Sequence, residues 1–164
     1  MKNKLIVTVF LLLFNAKLPA QNKAIDSLIP LLKTAQGGKK IDILISLSNE
    51  YRATSEEKAL KYALEAKDLA QKEDNKIKTL EAKIVEAKVY LKHGKDKQGL
   101  ELSEEALKEA IKLKQNETVA KIYKAQYYYY RDVAVDIKNA ILIIDKGIAF
   151  TSANNMPQLL GDMY

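Results

Sequence analysis

His93 is the only histidine of this chain and cysteine is absent, so the chemistry open to it is narrow. One imidazole without thiolates cannot assemble a zinc set, a histidine-bearing triad or a metalloprotease helix. Adjacent carboxylates such as Glu56/Glu57 and Glu104/Glu105 could suggest acid–base work, but neighbours on a helix point about 100° apart and do not share a cleft. They read instead as solvated helix starts, and no glycine-rich phosphate loop is present. His93 precedes Gly94, and a partial positive charge there suits the end of a helix. No catalytic, metal or cofactor site is expected. What is left is binding chemistry. Tyr127–Tyr130 places four tyrosines in succession. Tyr123, Tyr127 and Tyr130 share one helical face and are expected in the core. Tyr128 and Tyr129 point elsewhere, and an exposed tyrosine is a rigid, polar-tipped anchor for a partner.

The bulk composition sets the frame for that binding. With 164 residues, 48% of them apolar, the chain can bury a core as one domain. Few glycines and prolines amid much Ala, Leu, Lys and Glu favour helix. The net charge of +6 includes Lys2, Lys4 and Lys17, so the remainder carries only +3. No nucleic-acid role is needed to explain so mild a balance.

The first twenty residues read as an address. A basic start (MKNK) leads into an apolar run, Leu5 to Phe14, and then a more polar stretch ending at Ala20. This is the three-part layout of a secretory signal, too short to span a bilayer permanently, with the expected cut after Ala20. The mature part is therefore expected to be exported, in a periplasm, without a membrane span. The absence of disulfides is compatible with that compartment.

Beyond the signal, helical periodicity recurs. Residues 21–38 hold a leading helix, Ala24–Ala35, which Pro30 should kink or restart, and a Gly37-Gly38 break. Residues 39–153 hold three helix pairs: Lys40–Ala53 with a helix running to Glu73, Lys76–His93 with Lys97–Lys114, and Asn116–Asp132 with Asp136–Thr151. Thr54–Glu57 (TSEE) matches a capping box, Gly94 suits a positive-φ helix exit, and Asp74-Asn75 is a polar break. Small residues recur in the second helices: Ala59, Ala63 and Ala66, then Gly99, Ser103 and Ala106, then Ala140 and Gly147 with Ile144 between them. The steps are 40 and 41 residues. A period in this range signals stacked helical units. A lone pair leaves its apolar faces uncovered, so neighbouring pairs must stack, and the small residues let the axes approach. The fold class is all-α, an α-solenoid of antiparallel helix pairs.

The chain resembles the tetratricopeptide repeat family. Its motif places a small residue and a Tyr in the first helix, a Gly at the turn, and small positions in the second. AKVYLKHGKDKQGLELSEEAL supplies Ala87, Tyr90, Gly94, Gly99 and Ala106 in those places. Ser48, Tyr51, Ala59 and Ala66 supply the first repeat, and Tyr130, Ala140 and Gly147 the third, with Tyr127 at the small position. Leu160–Tyr164 repeats the small-x-x-Tyr signature, so residues 154–164 are expected to begin a fourth repeat and the chain to be part of a longer protein.

The resemblance implies a non-catalytic scaffold that binds protein or peptide on the concave face, lined by the first helix of each pair. That surface carries Asp42, Asn49 and Arg52, then Glu81 and Lys88, then Lys121, Lys124, Tyr128 and Arg131. Asn49 matches the asparagine that some members use to clamp a peptide carboxylate, whereas Ile45 stands where those members carry lysine. The basic cluster of the third repeat favours an acidic segment. The resemblance also extends to exported repeat regions of Bacteroidetes-type sensor histidine kinases, which gives the alternative: a periplasmic sensor region ahead of a membrane helix and a signalling domain.

Overall fold

The computed structural model describes residues 17–156 and residue 158, with side chains from residue 23 onward. The basic start and apolar run of the expected export signal, and the ending at Tyr164, lie outside the described residues. Within them every regular element is helical: α1 (Lys17–Thr34), α2 (Gly37–Tyr51), α3 (Glu56–Lys72), α4 (Lys76–Lys92), α5 (Asp96–Lys112), α6 (Asn116–Tyr128), a π-helical turn (Tyr129–Val133) and α7 (Ile137–Ala153). Each helix packs on the next, and α2 also touches α4. The architecture is an all-α, solenoid-like array of antiparallel hairpins, α2/α3, α4/α5 and α6/α7, with α1 laid against the first.

The apolar positions explain the stacking. One cluster joins Ile41 and Leu44 of α2, Ala66 and Ala70 of α3 and Ala82 of α4. The next joins Leu80 of α4, Ala106, Leu107 and Ala110 of α5 and Val119 and Ile122 of α6. Each cluster takes side chains from one hairpin and from the first helix of its successor, so neither hairpin could dry its apolar face alone. The small residues sit at the axes: Ala59, Ala63, Ala66 and Ala106 have no exposed surface. At Gly99 a β-carbon would lie 2.6 Å from Leu91 Cγ and 2.9 Å from the Leu91 backbone nitrogen, so only glycine lets α5 approach α4 this closely.

The repeat is also written in the backbone. Left-handed residues close the hairpins at Asp74 (φ 49°), Lys114 (φ 55°) and Asn155 (φ 57°), spaced by the same 40 and 41 residues as the small side chains. After each, the next N–H returns to the carbonyl five residues earlier: Asn75 to Ala70 (2.9 Å), Gln115 to Ala110 (2.9 Å), Met156 to Thr151 (2.8 Å). This is the helix stop that a left-handed residue permits.

Within the hairpins the turns lengthen one residue at a time. The carbonyls of Tyr51, Tyr90 and Tyr130 accept from Ser55 (2.8 Å), Lys95 (3.0 Å) and Asp136 (2.8 Å), the residues just before α3, α5 and α7. The loops so closed span four, five and six residues. The π-helical turn is where the sixth is absorbed, and it accounts for the step from 40 to 41. In the second hairpin the left-handed turn residue is Gly94 (φ 73°); 41 residues on, Val135 holds φ 53°. A left-handed L-residue is strained by about 1–2 kcal/mol, and a β-branched one is a genuine outlier.

Several expectations shift. The leading helix begins at Lys17 rather than Ala24 and passes through the expected cut after Ala20. Pro19 lies in its first turn, where no N–H is needed. Pro30 does not restart it: α1 runs on through the proline, with Ile25, Leu28, Ile29 and Leu32 packed on Ile43 and Leu47 of α2. The chain break precedes the glycines, at Ala35-Gln36, and Gly37 (φ 55°) opens α2. Ser55, not Thr54, caps α3, accepting from the Lys58 N–H at 3.3 Å, so the capping box is displaced by one residue and position three carries lysine rather than glutamate. Finally, Tyr129 is the buried member of the tyrosine run, at 6% exposure, while Tyr123, Tyr127 and Tyr130 are half-buried. Tyr123 and Tyr127, in α6, pack partly buried against the core clusters, while the π turn takes Tyr129 and Tyr130 out of the α-helical register on which the expectation rested.

Candidate functional site

The first helices of the three hairpins converge on one cavity of about 610 Å³. Arg52 follows the last turn of α2. Lys88, Leu91 and Lys92 come from the last two turns of α4. Lys121, Lys124, Ala125 and Tyr128 come from α6, and Tyr129, Asp132 and Val133 from the π turn. Among the described residues of this lining, five cations thus face one carboxylate around an apolar floor. Spacing explains the convergence: Lys88 and Lys92 lie one helical turn apart, as do Lys121, Lys124 and Tyr128.

Electrostatics sharpen the arrangement. Burial, then the positive charges of Arg52 and Lys121, push the Lys88 ammonium below the ordinary lysine range. Burial also lowers the Arg52 guanidinium. Arg52, Lys88 and Lys121 thus disfavour one another's charge, and an anion brought among the three would offset that. Tyr129 closes the floor. Burial and a hydrogen bond to the Asp96 carboxylate push its phenol up to about 12, so it stays a neutral wall. The lone acid is already engaged: Arg131 donates to Asp132 through Nε at 2.5 Å and Nη2 at 2.7 Å, holding its carboxyl below the usual range.

Of the nine residues that the sequence singles out, five lie together on this cavity: Arg52, Lys88, Lys121, Lys124 and Tyr128. Four do not line it. Asp42 and Glu81 hold Lys78 between them at 2.6 and 2.8 Å. Burial works against the Lys78 charge, but these two carboxylates outweigh it and raise its pKa. Asn49 turns its amide inward, Nδ2 donating to the Ile45 carbonyl at 3.1 Å and Oδ1 accepting from Arg52 Nη1 at 3.3 Å. In this geometry its amide orients Arg52. Arg131 stacks over Tyr127 and Tyr128, 5.1 and 4.7 Å from the ring centres.

Lys92, Leu91, Ala125, Tyr129, Asp132 and Val133 complete the lining, and the sequence reading does not single them out for it. Lys92 is legible as the residue one turn beyond Lys88; Tyr129, Asp132 and Val133 are not, because the π turn sets their direction. His93 acts beside the cavity as a tether. A carbonyl can only accept, so Nε2 carries the proton it donates to the Arg52 carbonyl at 2.9 Å, tying the second hairpin to the end of α2.

Among the described residues no group of three or more His, Asp or Glu side chains is gathered to hold a metal ion, and no helix is long and apolar enough to cross a membrane. Comparison of the chain with family models, with curated proteins and with solved structures returned no match.

Proposed function

We propose that this chain is an exported, non-catalytic protein-interaction scaffold of tetratricopeptide type, and that its cavity takes an acidic peptide segment. The observation that carries this reading is the convergence of Arg52, Lys88, Lys92, Lys121 and Lys124 on one apolar-floored cavity whose lining carboxylate, Asp132, is already bonded to Arg131. An approaching run of carboxylates relieves the mutual repulsion of Arg52, Lys88 and Lys121, and the surrounding positive field steers it inward. The cavity is open enough for a chain to enter, and Tyr128 offers a rigid flank. The test is a fluorescence-anisotropy titration with fluorescein-labelled hexaglutamate, with hexalysine as the control. Hexaglutamate should bind, hexalysine should not, and the affinity should fall with salt as expected for screened charges. The paired reversal Lys92→Glu and Lys121→Glu should weaken binding by about tenfold or more. Equal affinity in wild type and variant would remove the cavity from consideration.

A further inference from the structure

The left-handed backbone at Val135 closes the turn, the Asp136 N–H returning to the Tyr130 carbonyl at 2.8 Å as Lys95 does to Tyr90 past Gly94, but glycine would close it without strain and nothing visible in the fold calls for valine. Val135 occupies the left-handed position that Gly94 fills one repeat earlier, and its side chain is 72% exposed, so burial does not offset the strain. Strain retained at an exposed position points to a use outside folding. Its surroundings indicate which. Val133, Ile137 and Ile141 are 51%, 55% and 55% exposed, and Ile137 and Ile141 lie one turn apart on α7. The other large exposed apolar side chains on the preceding helices, Leu31, Leu64, Ile77 and Ile111, come one to a helix, as is ordinary for a protein surface. Val133 belongs both to this patch and to the cavity wall, so the two surfaces are continuous.

We infer that the segment Val133–Ile141 is a second contact zone for the partner of the cavity, which must carry an apolar stretch directly beside its acidic one. This rests on the acidic-peptide reading above. The cavity's cations choose the partner's charge, and the continuity at Val133 decides that the same chain runs on over Val135. The π turn, with its extra residue, carries Val133 onto the cavity wall and leaves Val135 exposed two residues on, where the shorter turns of the first two hairpins carry Ala53-Thr54 and Gly94.

The test compares labelled hexaglutamate with two longer peptides, hexaglutamate extended by Ile-Leu-Phe at one end or the other. On the wild-type chain one extended peptide should bind about tenfold more tightly than hexaglutamate, as burial of a few apolar side chains implies. In Val135→Gly that ratio should fall towards one, while the thermal midpoint rises by about 2–4 °C as the strain is released. Because this variant is expected to be the more stable protein, loss of the ratio cannot come from misfolding. Ile141→Ser should also lower the ratio. An extension that adds nothing, or a ratio untouched by Val135→Gly, overturns the inference while leaving the cavity reading intact. No binding of any of the peptides overturns both. Sedimentation showing a wild-type dimer that becomes monomeric in Val135→Gly would assign the patch to a second copy and overturn the inference as well.

Discussion

Gly99 lies so close to Leu91 that a β-carbon on the glycine would stand 2.6 Å from the leucine Cγ. This contact sets how near α5 comes to α4, and through Leu91 it reaches the wall of the cavity. Gly99→Ala should therefore destabilise the fold by overpacking, by about 1–3 kcal/mol in urea denaturation. Leu91→Ala in the same chain should recover only part of the loss, because the backbone nitrogen of Leu91 would itself stand 2.9 Å from the added β-carbon. An unchanged midpoint for Gly99→Ala would mean that the two helices are not held at this separation.

Lys88 sets function against stability. Its charge is disfavoured by burial and by Arg52 and Lys121. Lys88→Met should raise the thermal midpoint by about 2–4 °C and weaken hexaglutamate binding by about tenfold. The charged form binds the anion, and the lysine's pKa is lowered. Hence affinity in the wild type should decline with rising pH earlier than an ordinary lysine would allow, and Lys88→Met should lose that early decline. A variant that is less stable and binds normally would contradict the assignment.

The junction of α5 and α6 contains a buried polar pair. Gln126 is 1% exposed; its Nε2 donates to Ser103 Oγ at 3.1 Å and to Glu104 Oε1 at 3.1 Å, while its Oε1 has no hydrogen-bond donor among the described residues. A buried unsatisfied acceptor costs about 1–3 kcal/mol, and replacing both partners with apolar groups removes that cost. The double variant Gln126→Leu, Ser103→Ala should match or exceed the wild type in urea midpoint, whereas Ser103→Ala alone should fall below it.

Tyr129 gives the fold an alkaline limit. Its pKa is pushed from 10.0 to about 12 by burial and the Asp96 carboxylate. The folded state therefore holds the proton more tightly than the unfolded one. The stabilisation is complete below pH 10 and is lost as pH rises from 10 to 12. Thermal midpoints between about pH 9 and 11.5 should fall in the wild type and fall less in Tyr129→Phe. Identical slopes would place the phenol in water.

The period, the three hairpins and the burial of Ala66 and Ala106 are legible in the sequence because small residues at fixed spacing have one strong physical meaning: helix axes brought close. The cavity is half legible. Arg52, Lys88, Lys121, Lys124 and Tyr128 follow from placing first helices side by side. Tyr129 and Val133 escape because one extra residue in a π turn changes every side-chain direction beyond Tyr128, and nothing in YYYY marks where the hydrogen bonds will shift. Ser55 against Thr54 is a smaller case: either hydroxyl can cap, and the four-residue loop from Tyr51 decides between them. Pro30 reads as a kink or a restart from local preference; α1 does not restart there, its packing on α2 running through both sides of the proline.

The most direct measurement is amide chemical-shift mapping of the labelled chain titrated with hexaglutamate. The largest perturbations should cluster at Arg52, Lys88, Lys92, Lys121 and Tyr128 across three hairpins and diminish together as salt is added. Perturbations centred instead on Lys78 and its neighbours, or spread over lysines of the outer helices α3 and α5, would contradict a cavity built by the stacked first helices.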